Sequence, residues 1–186
     1  MTSILKADTI QDTDGNNIIN ESGNTITIGA SGDTTNIIGT LQNNGAALSF
    51  GKVLQVVSST GTAGFDTTST SYVQVTGTGH GVSITPSATS SKVFIAIMCE
   101  ARSSNSENNS TNTILRDSTD LSGGTRFASI YGSVLDACVT MYFLDSPNTT
   151  SQVTYRIGTK STNSSHQSRI NASNRLFSYI AMEIGA

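Results

Sequence analysis

The sequence predicts an all-β fold: a short N-terminal β-segment over residues 1–50, then a C-terminal β-sandwich of the jelly-roll kind over residues 51–186. Three observations predict it. Ser (28), Thr (27), Asn (15) and Gly (17) supply 87 of the 186 residues, a composition suited to short extended stretches and turns. Charged residues make up 12%, with four Lys and four Glu, so the strong helix formers are scarce. The apolar residues alternate with polar ones, and none of their runs is long enough to cross a membrane as a helix.

The first fifty residues follow rules of their own. They hold no aromatic residue before Phe50, and their apolar content is aliphatic. Gly15-Asn-Asn-Ile-Ile19, Gly23-Asn-Thr-Ile-Thr-Ile28 and Gly32-Asp-Thr-Thr-Asn-Ile-Ile38 repeat a turn followed by a very short strand. Such a unit cannot cover its own isoleucines, and about ten aliphatics fall short of an independent core. The segment is therefore either disordered or wound with other copies of itself. In the second case Ile18, Ile19, Ile26, Ile28, Ile37 and Ile38 line the axis of an oligomeric shaft.

Ten strands are predicted after residue 50: 52–58, 71–76, 81–85, 92–102, 113–116, 126–131, 134–145, 152–159, 167–170 and 175–184. Alternation is plain in Val93-Phe-Ile-Ala-Ile97 and Val153-Thr-Tyr-Arg-Ile157. The run 134–144 is almost wholly apolar, as for a strand covered on both faces. The polar stretch 103–111 is expected to project into solvent. Cys99 and Cys138 both sit in apolar alternating stretches and read as buried free thiols.

Several function classes lose support at this stage. The N-terminus lacks a signal-peptide pattern, so synthesis and assembly in a reducing cytoplasm are expected, and sequons such as Asn109-Ser-Thr and Asn148-Thr-Thr imply no glycans. The net charge is −3, divided as −4 before residue 51 and +1 after it, and this offers no basic stripe for nucleic acid. His80 and His166 stand in turn-like contexts without partners at metal-ligand spacing, so no metal and no cofactor are expected. Gly77-Thr-Gly-His-Gly81 superficially resembles a phosphate-binding loop, but no Lys or helix follows it, and it reads as a hairpin turn. Glu100, Asp136, Asp145 and Glu183 are the acids in or beside core strands. Their spacing pairs none of them as a glycosidase would require, and Arg102, Arg156 and Arg175 can neutralise them. No catalytic residue is expected.

Two motifs carry a family resemblance. Ile4-Leu-Lys-Ala-Asp-Thr-Ile10 with Asp14-Gly-Asn-Asn-Ile-Ile19 resembles the opening of structural proteins of marine bacteriophages, including those infecting cyanobacteria. Leu144-Asp-Ser-Pro-Asn-Thr-Thr150 followed by Val153-Thr-Tyr-Arg-Ile157 resembles an element of their fibre-like proteins, and the later strands resemble a C1q/TNF-type jelly-roll head. The resemblance implies a homotrimeric, non-enzymatic virion protein, though the chain is shorter than a typical phage tail fibre. It implies a virion-attachment segment containing Ile4, Leu5 and Ile10, a shaft, and a head that contacts the host surface. Arg126, Tyr131, Asn108, Asn109, Arg169 and Asn171 are the candidate contacts, as residue types that stack on and hydrogen-bond to glycans or proteins. The expected partners are further copies of the chain, other virion proteins, and a host surface glycan or protein, with no membrane insertion. A head decoration or capsid fibre is the other reading of the same features.

Overall fold

A computed structural model describes residues 52–132 and 136–185, and from the first fifty residues 9–11, 13, 17–22, 25–28, 31–38, 42–43 and 46–47. Among the described residues every regular element is a strand, and every strand pairing is antiparallel. Contacts divide the chain into two units, Met1–Ser49 and Phe50–Ala186.

In the first unit β1 (Thr9–Gln11), β2 (Asn17–Ser22) and β3 (Thr25–Ile28) form a meander, and β4 (Gln42–Asn43) pairs with β5 (Ala46–Ala47). Ile19 is the Cα partner of both Ile10 and Ile28, so the repeat brings isoleucines into register. Ile26 and Ile28 are exposed, 68% and 55%. The third repeat departs from its prediction. Residues 31–38 form a turn and an irregular stretch, with Ile38 94% exposed. The attachment residues Ile4 and Leu5 lie outside the described residues.

The second unit contains β6 (Val53–Gly61), β7 (Phe65–Thr67), β8 (Val73–Gln74), β9 (Val82–Ile84), β10 (Lys92–Ser103) and β11 (Asn109–Arg116). They are followed by β12 (Thr119–Asp120), β13 (Ala128–Tyr131), β14 (Ala137–Asp145), β15 (Val153–Ser161), β16 (Ser168–Ile170) and β17 (Phe177–Ile184). In one sheet the order is β6–β17–β10–β14, and β16 with β7 continues beside the far end of β10. In the other, β11 and β15 form the centre, flanked by β12 and β13 on one side and by β8 and β9 on the other. Numbered along the chain as eight strand positions, the sheets read 1-8-3-6 and 2-7-4-5, the double Greek key of a jelly-roll-like sandwich.

Alternation builds the core. Val93, Ile95, Ile97, Cys99 and Ala101 point inward from β10 and meet Ile114, Tyr155 and Ile157 of the other sheet, with Phe177 and Tyr179 from β17. Each fully buried side chain of this size contributes about 1.5–3 kcal/mol. At the far end of the sandwich hydroxyls replace hydrocarbon. Ser110 Oγ and Thr159 Oγ1 each lie 2.6 Å from Ser168 Oγ, and Thr159 Oγ1 donates to Asn112 Oδ1 at 2.8 Å. All four residues have no exposed surface.

Two expectations fail here for one reason. β14 is a half-exposed strand: Val139 and Met141 are buried, while Cys138, Thr140, Tyr142 and Leu144 face outward. Cys138 is accordingly an exposed thiol, whereas burial pushes the Cys99 thiol up to about 12. The two cysteines lie one register position apart on opposite faces of the sheet, and both are free. A third expectation, that 103–111 projects, fails because Asn108, Ser110 and Thr111 are buried and β11 begins at Asn109.

Candidate functional site

The outer face of the β6–β17–β10–β14 sheet changes character along its strands. One cross-strand row is Val56, Met182, Phe94 and Leu144, all apolar. The next is Ser58, Ile180, Ala96 and Tyr142, followed by Thr60, Ser178, Met98 and Thr140. Beyond these, Glu100 lies opposite Cys138. Val56 is 57% exposed, Tyr142 67% and Leu144 48%, and Val53 and Leu54 extend the apolar end. Among the described residues no segment of the second unit covers this apolar end, where Val53, Val56 and Leu144 stay exposed.

The outer face of the other sheet is polar by contrast. Ser83 Oγ and Thr154 Oγ1 are 2.8 Å apart across β9 and β15, and Arg156 Nη1 donates to Gln74 Oε1 at 3.4 Å. The Lys160 ammonium sits 4.4 Å from the centre of the Tyr72 ring.

At the charged end of the first sheet lies a cavity of about 240 Å³ lined by Met98, Glu100, Asp136, Cys138, Arg175 and Leu176, among others. Glu100 is 5% exposed. Its Oε1 accepts from the Ser173 backbone N–H at 3.1 Å, and its Oε2 lies 3.0 Å from Arg175 Nε without a hydrogen bond. Asp136 accepts from Ser173 Oγ at 2.8 Å and from Arg102 Nη1 at 3.3 Å, and these contacts hold it below the usual carboxylate range. A general acid needs the opposite shift. The spacing of 36 residues hid this proximity: β14 begins opposite Ala101 of β10, so Asp136, just before it, lines the same cavity as Glu100.

The remaining acids sit in polar cages. Asp145 pairs with Arg116, a partner the sequence did not single out. Glu183, with no exposed surface, accepts from Gln55 Nε2 at 2.6 Å, the Ser87 N–H at 2.7 Å, Ser87 Oγ at 2.6 Å and Ser91 Oγ at 2.7 Å. Burial opposes its charge, but these four bonds outweigh that and bring it down to about 2.

His80 is a correction to the sequence reading. It is buried, stacks on Phe177 with ring centres 4.0 Å apart, and bonds at both nitrogens. Nε2 donates to the Ala63 carbonyl at 2.8 Å, which leaves Nδ1 to accept from the Tyr179 hydroxyl at 3.1 Å. The glycine-rich run before it turns the chain between β8 and β9, which pair with the same strand β15, so it is no hairpin. Gly79 (φ +85°) is required there, because a Cβ would stand 2.5 Å from the Thr60 carbonyl oxygen. His166 is half-buried in a turn. No group of three His, Cys, Asp or Glu among the described residues is placed to hold a metal ion.

The six proposed surface contacts separate into three kinds. Asn108 is a buried hub whose Oδ1 accepts from Ser161 Oγ, the Thr162 N–H and hydroxyl, and the Asn163 N–H. Asn171 is also fully buried, with φ +54° and an Nδ2 that donates to the Thr62 and Ala63 carbonyls. Both are corrections: short Asn side chains here close turns inside the fold. Arg169 is tied to Asp66 at 3.0 Å on the neighbouring strand. Arg126 and Tyr131 are exposed, and Asn109 is the Cα partner of Tyr131, so these last two share one edge.

No protein-family model matches the chain, and no curated protein matches it. Among solved structures the chain is similar to one described as "Structure of infectious bursal disease virus Gx strain", at 14% identity. The match covers 82% of this chain and 41% of that one with a TM-score of 0.27, a superposition too loose to carry an argument about fold or function.

Proposed function

We propose that the protein is a non-enzymatic homotrimeric virion appendage. Its N-terminal unit is an intertwined β-shaft with a virion-attachment segment, and its second unit is a C1q/TNF-like head that contacts the host cell surface. The observation that carries the oligomer is the uncovered apolar row Val56–Met182–Phe94–Leu144 on one sheet, set against a polar outer face on the other. Apolar rows of this extent on a sheet face mark an interface. The exposed isoleucines Ile26, Ile28, Ile37 and Ile38 support the shaft, since copies that share an axis would bury them.

The virion role draws its support from the N-terminal and Leu144–Ile157 resemblances to phage structural proteins. Host contact would use Arg126, Tyr131 and Asn109, and three such patches per trimer give avidity to weak contacts. Gold-labelled antibody on intact particles tests this reading. Label at the tail, together with blocked adsorption, supports host attachment. Label over the head makes the protein a decoration or capsid fibre, and no label on the particle removes the virion role.

A further inference from the structure

Among the described residues three buried polar side-chain atoms lack a hydrogen-bond partner: Glu100 Oε2, Arg102 Nε and Asn171 Oδ1. All belong to one corner, because Arg102 is two residues beyond Glu100 on β10 and the Asn171 N–H donates to the Glu100 carbonyl at 2.8 Å. Glu100 also lines the cavity at that corner. Its carboxylate is nine-tenths buried, yet one oxygen is answered only by the ion contact from Arg175, whose side chain is 69% exposed.

We propose that this cavity is a binding site for an alkylguanidinium group, and that Arg175 is its internal occupant. Arg175 approaches through Nε at 3.0 Å without hydrogen-bond geometry, so a tethered guanidinium satisfies the charge of Glu100 and leaves the lone pairs of Oε2 open. A guanidinium entering from outside is free to present its fork and make two parallel N–H···O bonds. Asp136 adds a second carboxylate on the wall, and Met98 and Leu176, 43% and 64% exposed, offer apolar surface to the alkyl stem. At about 240 Å³ the cavity is smaller than the usual site for a cofactor or drug-sized molecule and suits one side chain. The site stands six residues along β10 from Phe94, roughly 20 Å from the apolar row, so it does not depend on the trimer reading.

The test is an NMR titration of the full chain with N-acetylarginine methylamide and, separately, with butylguanidine. A saturable shift of the Met98 methyl is expected, with a dissociation constant on the order of 1 mM for a single charge-assisted contact. Arg175→Ala removes the competitor and is expected to tighten binding about two- to fivefold, the scale of an exposed ion pair. Glu100→Gln is expected to abolish it, and Asp136→Asn, on an exposed residue, weakens it even where Glu100→Gln fails to fold. Equal binding of both probes assigns a free alkylguanidine as sufficient, whereas binding of the arginine derivative alone assigns an arginine side chain of another chain. Absence of a saturable shift, or an Arg175→Ala variant that binds no tighter, overturns the proposal.

Discussion

Arg116 and Asp145 tie the two sheets together. The guanidinium Nη1, on the last residue of β11, donates at 2.9 and 2.7 Å to the two oxygens of a carboxylate on the last residue of β14. Tyr155, from the same sheet as Arg116, adds a hydroxyl donor to Asp145 Oδ2 at 2.7 Å. Asp145 is 5% exposed, so the cost of stripping its water is met only while both donors are present.

Removing one donor therefore costs more than the bond it made. Arg116→Ala is expected to destabilise the second unit by about 3 kcal/mol, because a buried carboxylate is left without its cation. Tyr155→Phe is expected to cost about 2 kcal/mol, because its hydroxyl donates to a charged, buried acceptor. Urea unfolding measures both, and equal effects would mean that the guanidinium adds nothing beyond a hydroxyl donor.

Glu183 gives the acid limb of stability. Its folded value is about 2 against an ordinary 4.5, so the unfolded chain takes up the proton first as pH falls. The contribution is fully present above about 4.5 and drains away as pH drops toward 2. Glu183→Gln is expected to lower stability at neutral pH and to flatten this limb. A variant with an unchanged acid limb would place the effect on another group.

His80 acts in a separate window. Burial lowers its basicity below the ordinary 6.5, against the opposing bond to the Ala63 carbonyl. The unfolded chain then binds a proton that the folded state resists, so stability is level above pH 6.5 and declines as pH falls from there toward the lower folded value. His80→Gln should remove that decline. Thermal unfolding at pH 7 and pH 5.5 compares the two chains.

Assembly gives the last prediction. Light scattering is expected to report about 58 kDa, three times the 19.4 kDa chain. Leu144→Lys sets a charge on the apolar row without touching the core, since Leu144 is 48% exposed and faces outward. It should yield a smaller species with unchanged far-UV circular dichroism. A native chain that runs as a monomer would remove the trimer.

Each of the ten predicted strands has a counterpart in the structure, because period-two alternation is a property of neighbouring residues. β7 and β12 escaped, being three and two residues long and made of Phe65-Asp-Thr and Thr119-Asp. Side-chain placement was less legible. Cys138, Asn108 and Asn171 were misassigned because composition around a residue does not say which face of a strand it takes, or whether a loop folds back. The Glu100–Arg175 corner was unreadable for a related reason: it is assembled by the register of β10 with β14 and by the 171–176 turn.

The hydroxyl end of the core has a thermal consequence. Exposing apolar surface raises the heat capacity of unfolding, and exposing polar surface lowers it. Ser110, Asn112, Thr159 and Ser168 put polar area into an interior that valine or leucine could otherwise fill. Heat capacity sets the curvature of the free energy of unfolding with temperature, so this sandwich has a flatter stability profile, losing less on cooling than an all-hydrocarbon interior of equal volume.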